Sequence, residues 1–242
     1  MTENFARVLI GLLFNLDSML QFAPLFPLIY RVLQPSFPNC LWTGNTNCKK
    51  IALTFDDGPH RHHTPQLLEV LDHYKIPASF FWLGVCVQQA PQIAKMVHAR
   101  NHWIGLHGYD HRNFPMLSPQ ELKDSLEKTQ AAIESACNIP AQLIRDVRPP
   151  NGFFTPNTLK LLKKWDYRPV MWSVVPEDWV RPGVNTVTQR VLNQVQNGSI
   201  IVLHDGYFGG EDVAETTAAL IPKLLEQGYE FVTIDNLYEV IN

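Results

Sequence analysis

The sequence predicts an α/β fold of parallel, barrel-like design, and three observations carry that expectation. Short β-branched or aromatic runs alternate with amphipathic stretches from Lys49 to the end of the chain. Composition shifts only once, at 35–50. Nearly every unusual polar residue falls just after an apolar run. Strands that alternate with helices pair as β/α units around a parallel sheet, and a single composition break leaves one domain to hold them all.

The 242-residue chain begins with two apolar bursts, 8–14 and 19–30, interrupted by Asn15, Asp17, Pro24 and Pro27. A bilayer-spanning helix needs about 20 unbroken apolar residues, and a secretory signal needs a basic start and a small-residue cleavage site that are not seen here. A helix packed on the main domain is expected over 1–33, with peripheral membrane contact as the alternative. Residues 35–50, with Pro38, Asn39, Gly44 and Asn45, read as a connector. The expected division is therefore 1–48, helical segment and connector, and 49–242, the main α/β domain.

Strands are expected at 51–55, 78–83, 103–106, 143–147, 168–173, 199–203 and 230–234, from their β-branched and aromatic content. Helices are expected between them at 65–74, 91–100, 119–136, 156–165, 184–196 and 213–227. Three of these open with a hydroxyl residue followed by Pro: Thr64 with Pro65, Ser118 with Pro119, Thr155 with Pro156. The hydroxyl caps an orphan N–H, and Pro needs none in the first turn.

The formal net charge of -3 leaves no surplus of Lys and Arg to neutralise a phosphate backbone, so nucleic acid is excluded as a partner. Cys40, Cys48, Cys86 and Cys137 are too scattered for a disulfide framework. Free, mostly buried thiols are expected, with Cys40 and Cys48 the one pair close enough for a local bridge.

Asp56 and Asp57 follow the first expected strand, His107 and His111 the third, and Arg148 the fourth; Asp178 comes soon after the fifth, and His204 ends the sixth. In a β/α barrel these positions converge at the carboxyl end of the strands. Adjacent carboxylates repel unless a cation or Arg offsets them, although Asp56-Asp57-Gly58-Pro59 is also good turn chemistry. His107 and His111, four apart, can be offered to one ion from a helical turn. With Asp57 they make a two-His, one-carboxylate set with open positions, the pattern of a catalytic metal site. Taken singly, Arg148 reads more simply as a surface ion pair and His204 as a core histidine.

Five segments, in order and at similar spacing, resemble the motifs of the NodB-type polysaccharide deacetylases, carbohydrate esterase family 4: Thr54-Phe-Asp-Asp-Gly-Pro59, His107-x-x-x-His111, Arg148-Pro-Pro-Asn-Gly152, Asp178-Trp179 and Leu203-His204. The resemblance runs from about Lys49 to the C-terminus and implies a distorted (β/α)7 barrel. It implies one divalent ion, zinc before cobalt or nickel, held by Asp57, His107 and His111, and hydrolysis of N-acetyl groups on a glycan. Asp56 would be the general base toward a water acidified by the ion, and His204 the acid that protonates the departing amine. Arg148 would pair with Asp56, a backbone N–H at Asn151 would hold the oxyanion, and Trp179 and Val202 would line the acetyl-methyl pocket.

Three positions depart from the family pattern. Gly108 replaces the usual Ser or Thr, Asn151 the usual Tyr, and Val175 the first acid of Asp-x-x-Asp-Trp. The last change bears on which carboxylate keeps His204 protonated; Asp178 is the candidate. A non-catalytic sugar-binding barrel and an amidohydrolase of a small non-sugar amide are the two competing readings. A glycan substrate points to the cell envelope, the missing secretory signal to the cytoplasm and the apolar N-terminus to a membrane surface; a cytoplasmic or membrane-peripheral protein is expected.

Overall fold

The computed structural model describes residues 23–239. The apolar runs form seven parallel strands: β1 Lys50–Asp56, β2 Ser79–Trp82, β3 Trp103–Leu106, β4 Asp146–Val147, β5 Arg168–Pro169, β6 Ile200–His204 and β7 Glu230–Phe231. The sheet order is β5-β4-β3-β2-β1-β6, with β7 paired to the start of β1. The helices are α1 Phe26–Ser36, α2 His63–Tyr74, α3 Gly84–Gln89, α4 Pro91–Ala99, α5 Pro119–Cys137, α6 Pro156–Lys164, α7 Val184–Gln194, α8 Val213–Glu226 and α9 Ile234–Glu239. Among the described residues no helix is long and apolar enough to cross a membrane. The burst at 8–14 lies outside the described residues, as does the start of the burst at 19–30.

Strand alternation sorts the side chains into two cores. Leu53 and Phe55 of β1 and Ile201 and Leu203 of β6 turn outward and pack with the helices, among them Leu67, Leu71, Leu220 and Leu224. Ala52 and Ile200 turn inward with Phe81, Val170 and Leu41, and Ile234 and Leu237 of α9 join them. The period of two then puts Thr54 and Asp56, Val202 and His204, on the same inner face above that apolar plug. Sequence two residues further along each strand has changed from plug to chemistry.

Between β5 and β6 the sheet is bridged by single pairings. Val174 pairs in parallel with Ile201, Leu41 with Val170, and Thr43 lies antiparallel to Ser199. Residues of the connector thus lie in the wall, with Cys40 and Trp42 buried against Phe154 and Met171. All four cysteines are free, Cys40 and Cys48 included.

Several elements are shorter than the sequence suggests. The run at 143–147 yields only Asp146–Val147, because a 3-10 turn at Ala141–Leu143 exposes Leu143. The run at 168–173 is laddered to β4 only at Arg168–Pro169, the last bond running from the Val170 N–H to the carbonyl of Val147, where β4 ends. At 230–234 the strand gives way to α9, which starts at Ile234. A short helix, Gly84–Gln89, was not expected at all. Ser118 and Thr155 form capping boxes as expected, but Thr64 lies inside α2 rather than capping it. Its hydroxyl accepts the His60 N–H at 2.8 Å and donates to Asp205 Oδ2 at 2.5 Å, so it is committed to the loop below the site.

Candidate active site and metal centre

Every polar residue singled out in the sequence lies at the carboxyl end of the strands. Asp56 ends β1 and stands in register with His204 at the end of β6. His107 follows β3 directly and Arg148 follows β4. Asp178 and Trp179 begin a 3-10 turn at Asp178–Val180.

The His pair does not sit on a helical turn. Residues 107–111 run as an irregular loop in which Gly108 and His111 both have positive φ, 81° and 62°. That path folds both imidazoles back onto Asp57, itself at φ 73°. At Gly108 a Cβ would stand 3.2 Å from the Phe114 ring in a backbone conformation that favours glycine, so the replaced Ser or Thr of the family pattern has a local physical counterpart.

Asp57 Oδ1 lies 3.4 Å from His107 Nε2 and 3.3 Å from His111 Nε2, and one ligand atom from each of the three residues falls within 4.8 Å of the others. His107 is buried, and its Nδ1 donates to the Arg148 carbonyl at 2.8 Å, which leaves Nε2 as a lone pair. Burial, with His111 and Arg148 adding to it against the pull of Asp57, pushes the His107 pKa down to about 3. A neutral imidazole therefore turns its lone pair toward a buried carboxylate oxygen that has no hydrogen-bond partner. Such a contact is repulsive unless a cation lies between. Two ligands bonded at about 2.0–2.1 Å in a tetrahedral shell stand roughly 3.4 Å apart, so the spacing fits a divalent ion.

Arg148 is wholly buried, which removes the surface ion-pair reading. Its Nη1 donates to Asp56 Oδ1 at 2.6 Å and to Thr54 Oγ1 at 2.8 Å, and Nη2 donates to the Met171 carbonyl at 3.0 Å. The guanidinium lies 4.0 Å above the Phe81 ring. Gly105 makes that platform possible, since a Cβ there would come within 2.7 Å of the Phe81 ring. The asymmetric grip leaves Asp56 Oδ2 facing the metal triad, 4.0 Å from His107 Nε2.

His204 Nδ1 meets Asp178 Oδ1 at 2.9 Å, and Asp178 Oδ2 accepts the His204 backbone N–H at 2.7 Å. Burial alone would lower the His204 pKa, but Asp178, then Asp57 and Asp56, outweigh it and push the pKa up to about 9. Glu177 turns away toward Arg190. Asp178 thus occupies the place left in question by Val175. Trp179 stands edge-on to the His204 ring at 5.2 Å, and Val202 and Asn151 line the same cavity. The Asn151 side chain is bound to Asn113 at 2.8 Å.

Sequence reasoning missed the support beneath the carboxylates. Asp205 is fully buried; its backbone N–H donates to the Asp56 carbonyl at 3.1 Å, and its carboxylate accepts from Thr64. Burial, then the charges of Asp57 and Asp56, against the Thr64 bond, push its pKa up to about 7. Its position next to His204 was the available signal.

The polysaccharide deacetylase family model matches residues 43–170. The peptidoglycan-N-acetylglucosamine deacetylase of Bacillus cereus is 37% identical over 201 residues, covering 81% of this chain and 91% of that protein. A chitooligosaccharide deacetylase of Bradyrhizobium sp. is 35% identical, covering 78% and 91%. The crystal structure of the Bc1960 peptidoglycan N-acetylglucosamine deacetylase in complex with 4-naphthalen-1-yl-N-oxidanyl-benzamide superposes with a TM-score of 0.78 at 30% identity, over 82% of this chain and 92% of that one. The chain belongs to the polysaccharide deacetylase family.

Proposed function

We propose that this protein is a metal-dependent hydrolase that removes N-acetyl groups from amino sugars of a polysaccharide or oligosaccharide of the peptidoglycan or chitooligosaccharide type. The observation that carries the reading is the register of Asp56 with His204 beside the candidate metal triad: a carboxylate and a histidine placed together next to one cation site.

Asp57, His107 and His111 would hold the ion, zinc first and cobalt or nickel as substitutes, since the donor set admits several. When bound, the ion supplies Lewis-acid charge that acidifies a water and polarises the acyl carbonyl. Asp56, oriented and charge-balanced by Arg148, takes the proton from the attacking water through Oδ2. Its strand neighbour Thr54 accepts from the same Nη1 of Arg148. The backbone N–H of Asn151 receives the negative charge that develops on the carbonyl oxygen.

His204, kept protonated by Asp178, offers Nε2–H to the amide nitrogen. The C–N bond breaks, the oxygen of water stays on the acyl carbon, and acetate and the free amine leave. Trp179 and Val202 flank the acyl methyl. Asp178 also supports this over a binding-only barrel, because a sugar-binding site has no use for a second carboxylate that keeps a histidine charged.

The test is acetate release from chitooligosaccharides and peptidoglycan fragments by chelator-stripped protein, before and after zinc is restored. Metal-restored release from either glycan is expected. Stoichiometric metal binding with no acetate from either would contradict the proposal.

A further inference from the structure

The site lies within a cavity larger than an acetyl group alone requires. Its volume is about 420 Å³, whereas a methyl group is close to one water in size, about 30 Å³. The same cavity that takes in the candidate metal ligands, His204, Trp179 and Val202 is also walled by Met171, Trp172, Phe154 and Trp42 and by Phe26, Ile29 and Leu33 of α1. The Trp42 indole N–H is spent on the Phe37 carbonyl at 3.1 Å, so this part of the wall offers little to a sugar hydroxyl. Placing one there without a partner is costly.

The wall is anchored in place. Gln194 Nε2 donates to the Ala23 carbonyl at 3.2 Å while its Oε1 accepts the Val175 N–H at 3.1 Å, which ties the start of α1 to the loop beside Asp178. Tyr30 packs edge-on against Trp42 at 6.3 Å. Yet α1 has no fully buried residue: the side facing the cavity is apolar, half-covered and continuous with the catalytic carboxylates. The helix also lies before the first residue matched by the family model, at position 43.

We propose that this cavity is an acyl-chain subsite, and that the preferred substrate is an amino sugar bearing an N-acyl chain longer than acetyl. The inference rests on the hydrolase reading above. The chemistry is unchanged: water adds to the acyl carbon, the C–N bond breaks, and a short fatty acid leaves with the free amine. A chain of about six carbons, at roughly one water volume each, fits with room to spare.

The test uses the full-length zinc-restored protein and chitotriose carrying N-acetyl, N-butyryl, N-hexanoyl or N-octanoyl groups. Each added methylene that enters the cavity is expected to raise kcat/KM roughly fourfold up to hexanoyl. Binding is read in parallel as quenching of tryptophan fluorescence, since Trp42, Trp172 and Trp179 line the cavity, and hexanoyl is expected to bind more tightly than acetyl. Ile29→Trp, which fills the α1 side of the cavity, is expected to collapse the hexanoyl-to-acetyl ratio to about one in both readouts. Acetyl preferred in turnover and binding overturns the subsite and leaves the deacetylase standing. No release from any member overturns the hydrolase reading, and the binding series then decides the subsite alone. A gain in binding from an octyl glycoside of N-acetylglucosamine, with none from the longer N-acyl groups, overturns it in favour of a lipid aglycone.

Discussion

The two halves of the sheet are built differently. β1, β2, β3 and β6 pair over long registers, five residues between β1 and β6 and four between β2 and β3, while β3 and β4 share one pairing and β4 and β5 two. The well-laddered half carries Asp56, Asp57, His107 and His204, the groups whose mutual distances must hold to a few tenths of an ångström. The thin half carries Arg148, Asn151, Asp178 and Trp179, which complete and tune the site. Two of the three departures from the family pattern, at Asn151 and Val175, fall in the thin half. Long registers go with the residues proposed to hold the ion and move the proton, and short ones with the residues proposed to orient and tune them.

Four substitutions can break or sharpen that division. Asp56→Asn, in the thick half, is expected to lower kcat by about 10²–10⁴-fold in a glycan-deacetylation assay, with zinc affinity retained. A modest loss would move the base elsewhere. Arg148→Met is expected to be the largest structural lesion from the thin half, since it strands the buried Asp56 carboxylate. A cost of about 3–5 kcal/mol in denaturant unfolding is predicted, and a near-neutral result would mean the two halves are not joined through that pair.

Asp178→Asn should leave zinc binding intact and move the alkaline limb of kcat/KM. His204 must be protonated to act, so activity is lost as pH rises through its pKa, pushed up to about 9 in the wild type. A bound cation offsets the pull of Asp56 and Asp57 but not that of Asp178. Without Asp178 the limb is expected to fall toward or below the ordinary histidine value of about 6.5, and an unmoved limb would clear Asp178 of that role.

The smallest effect on catalysis is expected at Asp205→Asn, which is read in stability instead. The folded pKa near 7 lies above the ordinary carboxyl value of about 3.9, so the folded state keeps a proton that the unfolded chain releases. Stability of the metal-free protein from this group is therefore present below about pH 4, falls as pH rises toward about 7, and is flat beyond. The variant should lose that slope, measured as urea midpoints at about pH 5 and about pH 7.5.

Legibility in the sequence follows the same division. β1, β3 and β6 were readable because residues such as Ile51, Leu53 and Phe55 repeat at the strand period and stop abruptly at a charged residue. In the thin half, Leu143 and Trp172 resemble strand residues, and nothing local shows that β4 ends at Val147 and leaves the run at 168–173 without a partner there. The polar residues of the candidate site were visible from their positions after strands. The Thr64–Asp205 bond was not, because its partners stand 141 residues apart and Thr64 looked like a helix cap. The apolar residues of α1 marked a packed helix, but spacing alone does not tell whether such a face meets a core or a cavity.

The most direct test of the prebuilt cation site in the thick half is a calorimetric zinc titration of chelator-stripped wild type, Asp56→Asn and His111→Ala. One tight site in the wild type and in Asp56→Asn, with affinity lost in His111→Ala, is the predicted result. Zinc that fails to bind the wild type, or binds His111→Ala equally well, would contradict the assignment of Asp57, His107 and His111 as its ligands.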